Sequence, residues 1–159
     1  MSRIPSLGPR GEGWVALQFI LLGAIALSGW LLGHAWSGVA QQALLVVGGL
    51  LVLGGLAIAT LGVANLGRSL SAMPRPTDQA VQITHGVYSQ VRHPIYAGLV
   101  CAAIGWSLVT ASLIGLALSV VLAGVLDLKS RREEAWLHER FAGYAAYAAR
   151  TKRFIPGLY

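Results

Sequence analysis

A short polar segment, residues 86–98, carries the first group of side chains able to do chemistry. It reads Gly86-Val-Tyr88-Ser-Gln-Val-Arg92-His93-Pro94-Ile-Tyr96-Ala-Gly98. Pro94 favours the first turn of a helix, and its ring favours an extended conformation at His93. Arg92 and His93 then stand at a helix N-terminus, where free N–H groups and the helix dipole attract an anion. The same pattern also suits a simpler role, in which Arg92 contacts lipid headgroups and His93 and Tyr88 lie at the membrane interface.

The second group is the run Arg131-Arg132-Glu133-Glu134, which follows an apolar stretch. Glu133 and Glu134 are two of only six acidic residues in the chain. A carboxylate pair at this position can hold a bound cation. The alternative is a solvated helix face whose charges contact lipid headgroups.

Both groups border long stretches without any charged residue. No Asp, Glu, Lys or Arg occurs in the 55 positions between Glu12 and Arg68, or in the 34 positions between Arg92 and Asp127. Charged residues make up 11% of the 159 residues, against about 25% in soluble domains. A soluble fold of this size cannot bury so much apolar chain. The composition therefore excludes a soluble enzyme, a disordered chain and a nucleic-acid-binding domain, and predicts an all-α membrane protein with a single domain over residues 1–159.

The lengths of the uncharged stretches predict four membrane-spanning helices. About 20 apolar residues cross the hydrocarbon core, so the first stretch holds two spans, 14–32 and 43–66. As one helix, the 34 residues of the second stretch would be about 51 Å long, too long for a single span. The polar cluster Thr110-Ala-Ser112 predicts a tight hairpin of two short spans, 95–109 and 112–128. A single long tilted helix is the alternative.

Four spans place both termini and the 67–94 loop on the same side of the membrane. All 12 Lys and Arg residues then fall on that side: Arg3, Arg10, Arg68, Arg75, Arg92 and the seven from Lys129 to Arg153. Basic residues concentrate on the cytoplasmic side of membrane proteins. We therefore expect cytoplasmic termini, in the inner (plasma) membrane of a bacterium.

The residues after Lys129 have a different pattern from the spans. Aromatic and apolar side chains fall near helical spacing between charged ones, at Trp136, Leu137, Phe141, Tyr144 and Tyr147. This pattern predicts a C-terminal cytoplasmic amphipathic helix that rests on the headgroups.

Glycine is unusually frequent, with 20 of the 159 residues. Pairs of small residues four positions apart let membrane helices approach closely, and Gly29-Trp-Leu-Leu-Gly33 is such a pair. The pair predicts a close helix contact without saying whether the neighbour belongs to the same chain, so the oligomeric state stays open.

The two charged groups together resemble the signature of a known enzyme family. The first reads Gly86-x-Tyr88-x-x-x-Arg92-His93-Pro94-x-Tyr96-x-Gly98, and the second continues as Glu133-Glu134-x-x-Leu137-x-x-x-Phe141-x-x-Tyr144-x-x-Tyr147, then Arg153-Phe-Ile-Pro156. Their order and spacing around a helical hairpin are similar to those of the isoprenylcysteine carboxyl methyltransferases and related phospholipid methyltransferases. The resemblance covers about residues 61–159, which we take as the cofactor-binding part of the chain.

This resemblance implies a methyltransferase that uses S-adenosylmethionine and is built from membrane helices. It implies that His93 and the N–H groups near Pro94 take the carboxylate or the adenine edge of the cofactor, and that Glu133 or Glu134 counters its cationic centre. The cofactor-binding residues expected from it are Tyr88, Arg92, His93, Pro94, Tyr96, Gly98, Glu134, Tyr144 and Tyr147. The catalytic residues expected from it are Arg131, Arg132, Glu133 and Glu134, where Arg131 or Arg132 holds the acceptor, with no metal site.

The resemblance says less about the methyl acceptor than about the donor. It favours a lipophilic acceptor with the carboxylate of an isoprenylcysteine-like group, while a phospholipid amine or a thiol stays open. A carboxylate needs no general base, whereas an amine or a thiol needs one, for which His93 or a glutamate is the candidate. Two other classes of function remain as alternatives: a non-enzymatic membrane scaffold or transporter accessory, and a nicotinamide-dependent enzyme similar to the sterol reductases.

Overall fold

The computed structural model describes residues 4–38, 40–76 and 79–159, and helices dominate it. The α-helices are α1 (Glu12–Leu32), α2 (Ala40–Leu66), α3 (Pro94–Val109), α4 (Leu113–Arg140) and α5 (Tyr144–Arg150). Short 3-10 turns occupy Gly67–Ser69 and Gly86–Ser89. The prediction of an all-α membrane protein is confirmed, and the predicted spans agree with the helices to within three residues at their N-terminal ends.

The predicted hairpin forms at the polar cluster between α3 and α4. Ser112 precedes α4, and its Oγ accepts a hydrogen bond from the Gly115 N–H at 3.0 Å. Ala111 adopts a left-handed conformation with φ of 49°, which ends the preceding helix. Three helices, α1, α2 and α4, are long and apolar enough to cross a membrane, while α3 has 16 residues and reaches about 24 Å. The single long helix considered as an alternative does not form.

The amphipathic helix predicted after Lys129 is not a separate element at its start. It is continuous with the fourth span, because α4 runs from Leu113 to Arg140 without interruption. No Gly or Pro lies between residues 125 and 142, so nothing in the backbone ends the helix there. Gly143 then precedes the separate short helix α5. The charged end of α4 is packed against the protein, with Lys129, Ser130, Glu134 and Trp136 buried.

A seam of glycines joins α2 to α3. The buried residues of α2 recur every seven positions and are all glycines: Gly48, Gly55 and Gly62. They face α3 in antiparallel order, so that Gly48 lies against Gly105 and Gly55 against Gly98. A Cβ added to Gly105 would lie 2.6 Å from the carbonyl oxygen of Gly48. The two backbones therefore touch directly, and only glycine fits at these positions.

The pair Gly29 and Gly33 makes a close helix contact within the chain. A Cβ on Gly29 would lie 2.7 Å from Thr110 Oγ1, and one on Gly33 would lie 2.6 Å from the Thr110 carbonyl oxygen. The close helix contact predicted from this pair is thus between the end of α1 and the end of α3.

The helices place the charged residues at one end of the bundle. At the opposite end, the His34 N–H donates to the Thr110 carbonyl and Trp36 Nε1 donates to the Leu108 carbonyl. At the charged end, the Arg75 N–H donates to the Arg10 carbonyl and the Arg92 N–H donates to the Lys152 carbonyl. Every described Lys and Arg lies at the second end, as the charge distribution predicts; Arg3 is outside the described residues. Between the two ends, an apolar core forms around Leu21, Ile25, Ala103, Leu122 and Leu126.

Candidate active site

A buried carboxylate, Glu134, organises the charged end of the bundle. Its Oε1 accepts hydrogen bonds from Arg92 Nε at 2.8 Å, from His93 Nε2 at 3.1 Å and from Arg153 Nε at 3.2 Å. Its Oε2 accepts a further bond from Arg153 at 3.0 Å. Burial raises the pKa of this carboxyl, but the hydrogen bonds from His93, Arg153 and Arg92 outweigh it and leave the pKa well below its usual range. Glu134 is therefore ionised and fixes the orientation of three side chains.

The backbone on either side of this carboxylate is held by main-chain hydrogen bonds. The Arg92 N–H donates to the Lys152 carbonyl at 2.8 Å and the His93 N–H donates to the Arg153 carbonyl at 3.0 Å, next to a parallel bridge between Val91 and Lys152. The extended conformation predicted for His93 is wrong: the residue has φ of −128° and ψ of 59°. This ψ turns the His93 carbonyl toward α3, where it accepts a hydrogen bond from the Ala97 N–H at 3.1 Å. The C-terminal segment is thereby docked at the start of α3.

Arg92 also closes the end of α5. Its guanidinium donates to the carbonyl oxygens of Ala148 and Thr151, which lie at the C-terminal end of that helix. A cation is favourable at this end of a helix dipole. The same arginine thus connects α4 and α5 at the start of α3.

A cavity of about 330 Å³ opens beside the buried carboxylate. Its size lies within the range of about 300–1,000 Å³ that is typical of small-molecule sites. One face of α4 forms a wall through Lys129, Glu133 and Leu137, which follow each other at intervals of one helical turn. The other polar side chains of the lining are Gln18, Ser69, Ser71, Gln82, Tyr88, Arg92, His93, Tyr96, Tyr144 and Tyr147.

Glu133 is the member of the acidic pair that faces the cavity. Its Oε2 accepts a hydrogen bond from Tyr96 Oη at 2.7 Å and lies 3.9 Å from His93 Nδ1. The rings of Tyr96 and His93 are stacked, with centroids 5.2 Å apart and planes inclined by 7°. Glu133 is thus held in place and keeps part of its carboxylate available to a bound molecule.

Three tyrosines form an aromatic part of the cavity lining. Tyr147 Oη donates to the Tyr88 carbonyl at 2.7 Å, and the rings of Tyr144 and Tyr147 meet edge-on. Burial raises the pKa of Tyr147 to about 12, and burial also raises the pKa of Tyr88 and Tyr144. All three are therefore neutral hydroxyls. The Tyr144 hydroxyl is buried and has no hydrogen-bond partner among the described residues.

The structure separates the predicted site residues into two sets. Seven of them line the cavity: Tyr88, Arg92, His93, Tyr96, Glu133, Tyr144 and Tyr147. Glu134 lies behind this surface and holds Arg92 and His93. Pro94 begins α3 and is packed near Gly62, while Gly98 is packed against Gly55 in the glycine seam.

The two arginines before the acidic pair lie outside the cavity lining. Arg131 is exposed and donates to Asp127 Oδ2 at 2.7 Å and to the Tyr159 hydroxyl at 3.0 Å. The guanidinium of Arg132 lies 4.3 Å from the ring centroid of Trp136, and its Nε is buried without a hydrogen-bond partner among the described residues.

Three residues that contribute to the site were not predicted from the sequence. Arg153 completes the partners of Glu134, and its place in the quoted Arg153-Phe-Ile-Pro156 string was a usable signal. Gln18 was visible as an amide within an otherwise apolar span, and polar groups in spans mark functional positions. Lys129 contributes only its charge to the predicted topology, although its position at the end of the apolar stretch of α4 is a signal for burial.

Comparisons with known proteins give a consistent picture. A family model described as phospholipid methyltransferase matches residues 43–143. The cobalt-zinc-cadmium resistance protein CzcN of Cupriavidus metallidurans is 33% identical over 134 residues, which are 83% of this chain and 59% of that protein. Probable protein-S-isoprenylcysteine O-methyltransferases of Oryza sativa, subspecies indica and japonica, are 33% identical over 114 residues, which are 69% of this chain and 60% of theirs. The chain thus spans about three-fifths of the length of these curated relatives.

Proposed function

Because this chain belongs to the phospholipid methyltransferase family, we propose that it transfers a methyl group from S-adenosylmethionine to a lipophilic acceptor in the membrane. The observation that carries the proposal is the cavity at the charged end of the bundle, where the Glu133 carboxylate, the nitrogen groups of Arg92 and His93, and four tyrosines converge. The acceptor class, the donor and the activity of the whole protein are all part of this proposal.

The chemistry of the lining suits the proposed donor. S-adenosylmethionine carries a carboxylate, an α-amino cation, a sulfonium and an adenine ring. Arg92 and His93 offer donors for the carboxylate, Glu133 offers a counter-charge for the cationic groups, and Tyr88, Tyr144 and Tyr147 offer aromatic surface for the adenine. The unpartnered Tyr144 hydroxyl is further support, because a buried polar group in a protein normally has a partner.

The residues of the chain would act mainly by binding and alignment. When bound, S-adenosylmethionine supplies an electrophilic methyl group, and the transfer requires the acceptor to stand in line with it. Tyr96 holds Glu133, and Glu134 holds Arg92 and His93, so the polar lining is fixed before any ligand binds. Such pre-organisation supplies much of the rate enhancement in reactions that need alignment of the reactants and the exclusion of water.

For the acceptor, we favour the carboxylate of an isoprenylcysteine-like group. The rice relatives are named for methyl transfer to oxygen on an isoprenylcysteine. A phospholipid amine or a thiol remains the alternative acceptor. We further propose that the protein lies in a bacterial inner membrane with both termini and the cavity facing the cytoplasm, since every described Lys and Arg is at that end.

Calorimetric titration of detergent-purified protein with S-adenosylhomocysteine tests the proposal. We expect binding to the wild type, weaker binding to His93→Ala and unchanged binding to Glu139→Gln, whose side chain is exposed on the same helix as Glu133. Absence of binding to correctly folded protein would overturn the methyltransferase proposal. Binding of NADPH in its place would favour a reductase.

A further inference from the structure

The side chain of Lys129 is buried, with 1% of its surface exposed, and the proposed transfer has so far made no use of it. Its Nζ donates a hydrogen bond to Gln18 Oε1 at 2.6 Å and lies 4.9 Å from the centroid of the Tyr96 ring. Among the residues that the structure describes, no carboxylate oxygen lies within 4 Å of this nitrogen. A buried ammonium group is costly unless it is paired with an anion. The nearby carboxylate of Glu133 interacts with this ammonium group electrostatically but not by direct contact. Direct contact with an anion is therefore open to an external counter-charge.

The position of Lys129 indicates where that counter-charge would come from. Lys129 lines the cavity together with Gln18, at the end nearest the membrane-spanning part of α4. Leu126, which precedes Lys129 by three positions on α4, is buried in the apolar core. Lys129 thus marks the border between the polar cavity and the apolar interior. An amphiphile whose tail lies in the bilayer would bring its headgroup to this border.

The charges along α4 match the two partners of the proposed reaction. Lys129 and Glu133 are one helical turn apart, about 6 Å along the axis, and both face the cavity. Glu133 is suited to the cationic donor, and Lys129 is suited to an anionic acceptor. Opposite charges one turn apart would hold two oppositely charged reactants side by side.

We propose that Lys129, oriented by Gln18, binds the acidic headgroup of the methyl acceptor and selects acidic over neutral or basic lipophiles. This proposal rests on the proposed function and adds a specificity-determining pair to it. Gln18 lies outside the region matched by the family model, residues 43–143, so the match itself says nothing about this pair.

The reaction gives the pair a second consequence. A carboxylate oxygen of the acceptor forms a bond with the methyl carbon, and the carbon–sulfur bond breaks with its electron pair remaining on sulfur. No proton moves. The ester product carries no charge at that group, so its attraction to Lys129 is lost. The same ammonium group would therefore bind substrate and release product.

The test compares three probes with one prenyl tail: S-farnesylthioacetic acid, its primary amide, and S-farnesylcysteamine. Binding is measured by calorimetry in detergent without cofactor. For the wild type we expect the acid to bind at least about tenfold more tightly than the amide, which is 1.4 kcal/mol, and the amine to bind most weakly. In Lys129→Met the ratio of acid to amide affinity should fall to about one. Lys152→Met, which changes the other lysine of the chain at an exposed position, should keep the wild-type ratio.

A second variant protects the test against a folding defect. Gln18→Glu is nearly isosteric and supplies a carboxylate where the amide oxygen meets Nζ, so it should abolish the preference for the acid without lowering the melting temperature. A wild-type preference that persists in Lys129→Met or in Gln18→Glu would overturn the proposal. Loss of S-adenosylhomocysteine affinity in Lys129→Met with an unchanged probe ratio would also overturn it, because Lys129 would then hold the donor. Failure of the wild type to bind S-adenosylhomocysteine would count against the proposed function, while the probe ratios would still judge the headgroup site.

Discussion

Replacing Glu134 by Gln should destabilise the protein far more than the same change at its neighbour Glu133. Glu134 has two arginines and a histidine around it, at 2.8–3.2 Å. The amide keeps the shape of the side chain but removes its charge, and it turns an N–H group toward donors. The side chains of Arg92 and Arg153 are only 11% and 18% exposed, so water compensates them poorly.

The expected size follows from what the arginines lose. Removing one partner of a buried ion pair costs about 3–5 kcal/mol, and the partial exposure of this cluster places the loss near about 3 kcal/mol. For a chain of this length, 1 kcal/mol corresponds to about 2–4 °C in melting temperature, so Glu134→Gln should melt about 6–12 °C lower. Glu133 accepts a single described side-chain hydrogen bond, from Tyr96, which the amide oxygen of Gln can still accept. Glu133→Gln should therefore stay within about 1 kcal/mol of the wild type.

Thermal unfolding in detergent, followed by intrinsic tryptophan fluorescence, measures the first effect, and titration with S-adenosylhomocysteine measures the second. Glu133→Gln should retain its melting temperature and lose affinity, because Glu133 faces the cavity. Glu139→Gln, an exposed site on the same helix, should match the wild type in both. Equal melting temperatures for the Glu133 and Glu134 variants would refute the assignment of Glu134 as the buried anchor. Unchanged affinity in Glu133→Gln would refute its role opposite a cationic ligand.

Three further predictions follow from other features. Gly105→Ala should lower the free energy of unfolding by about 1–3 kcal/mol, because its Cβ would meet the Gly48 carbonyl, whereas Gly49→Ala, which meets nothing within 4 Å, should not; denaturation in mixed micelles compares them. Because folding lowers the pKa of Glu134 from an ordinary 4.5, the contribution of this carboxylate to stability is complete above pH 4.5 and is lost as the pH falls below it. The melting temperature of the wild type should therefore decrease as the pH is lowered through this acidic range, and Glu134→Gln should lack this decrease. Tyr144→Phe removes an unpartnered buried hydroxyl, so its melting temperature should hold or rise while its affinity for S-adenosylhomocysteine falls about threefold to tenfold; equal affinity would mean that the hydroxyl does not meet the ligand.

Much of the fold could be predicted because it depends on local composition. The uncharged stretches located α1 and α2, and the cluster Thr110-Ala-Ser112 located the turn of the hairpin. The charge distribution alone predicts that both motifs lie at one end of the bundle. These features follow from the solvent preference of each segment, which the sequence carries directly.

The assignment within the site could not be predicted in the same way. Glu133 and Glu134 are adjacent on a helix, so their side chains point about 100° apart, and the sequence does not say which of them faces a cavity. That depends on how α4 is rotated against α3 and on the docking of the C-terminal segment. The contact between Lys129 and Gln18, separated by 111 positions, likewise depends on packing between distant helices. Long-range geometry of this kind leaves only weak signals in a single sequence.

The arrangement of partners around Glu134 sets an order on how the protein matures during translation. Arg92 and His93 are synthesised before Glu134, but Arg153 follows it by 19 residues and brings the Lys152 backbone with it. A nascent chain with all four spans inserted would still lack the two hydrogen bonds that Arg153 donates to Glu134. Only after the ribosome has passed Arg153 can the segment dock and the pocket close. Binding of S-adenosylhomocysteine should therefore require synthesis beyond Arg153 and should not occur in shorter inserted intermediates, so the same assay also reports on biogenesis.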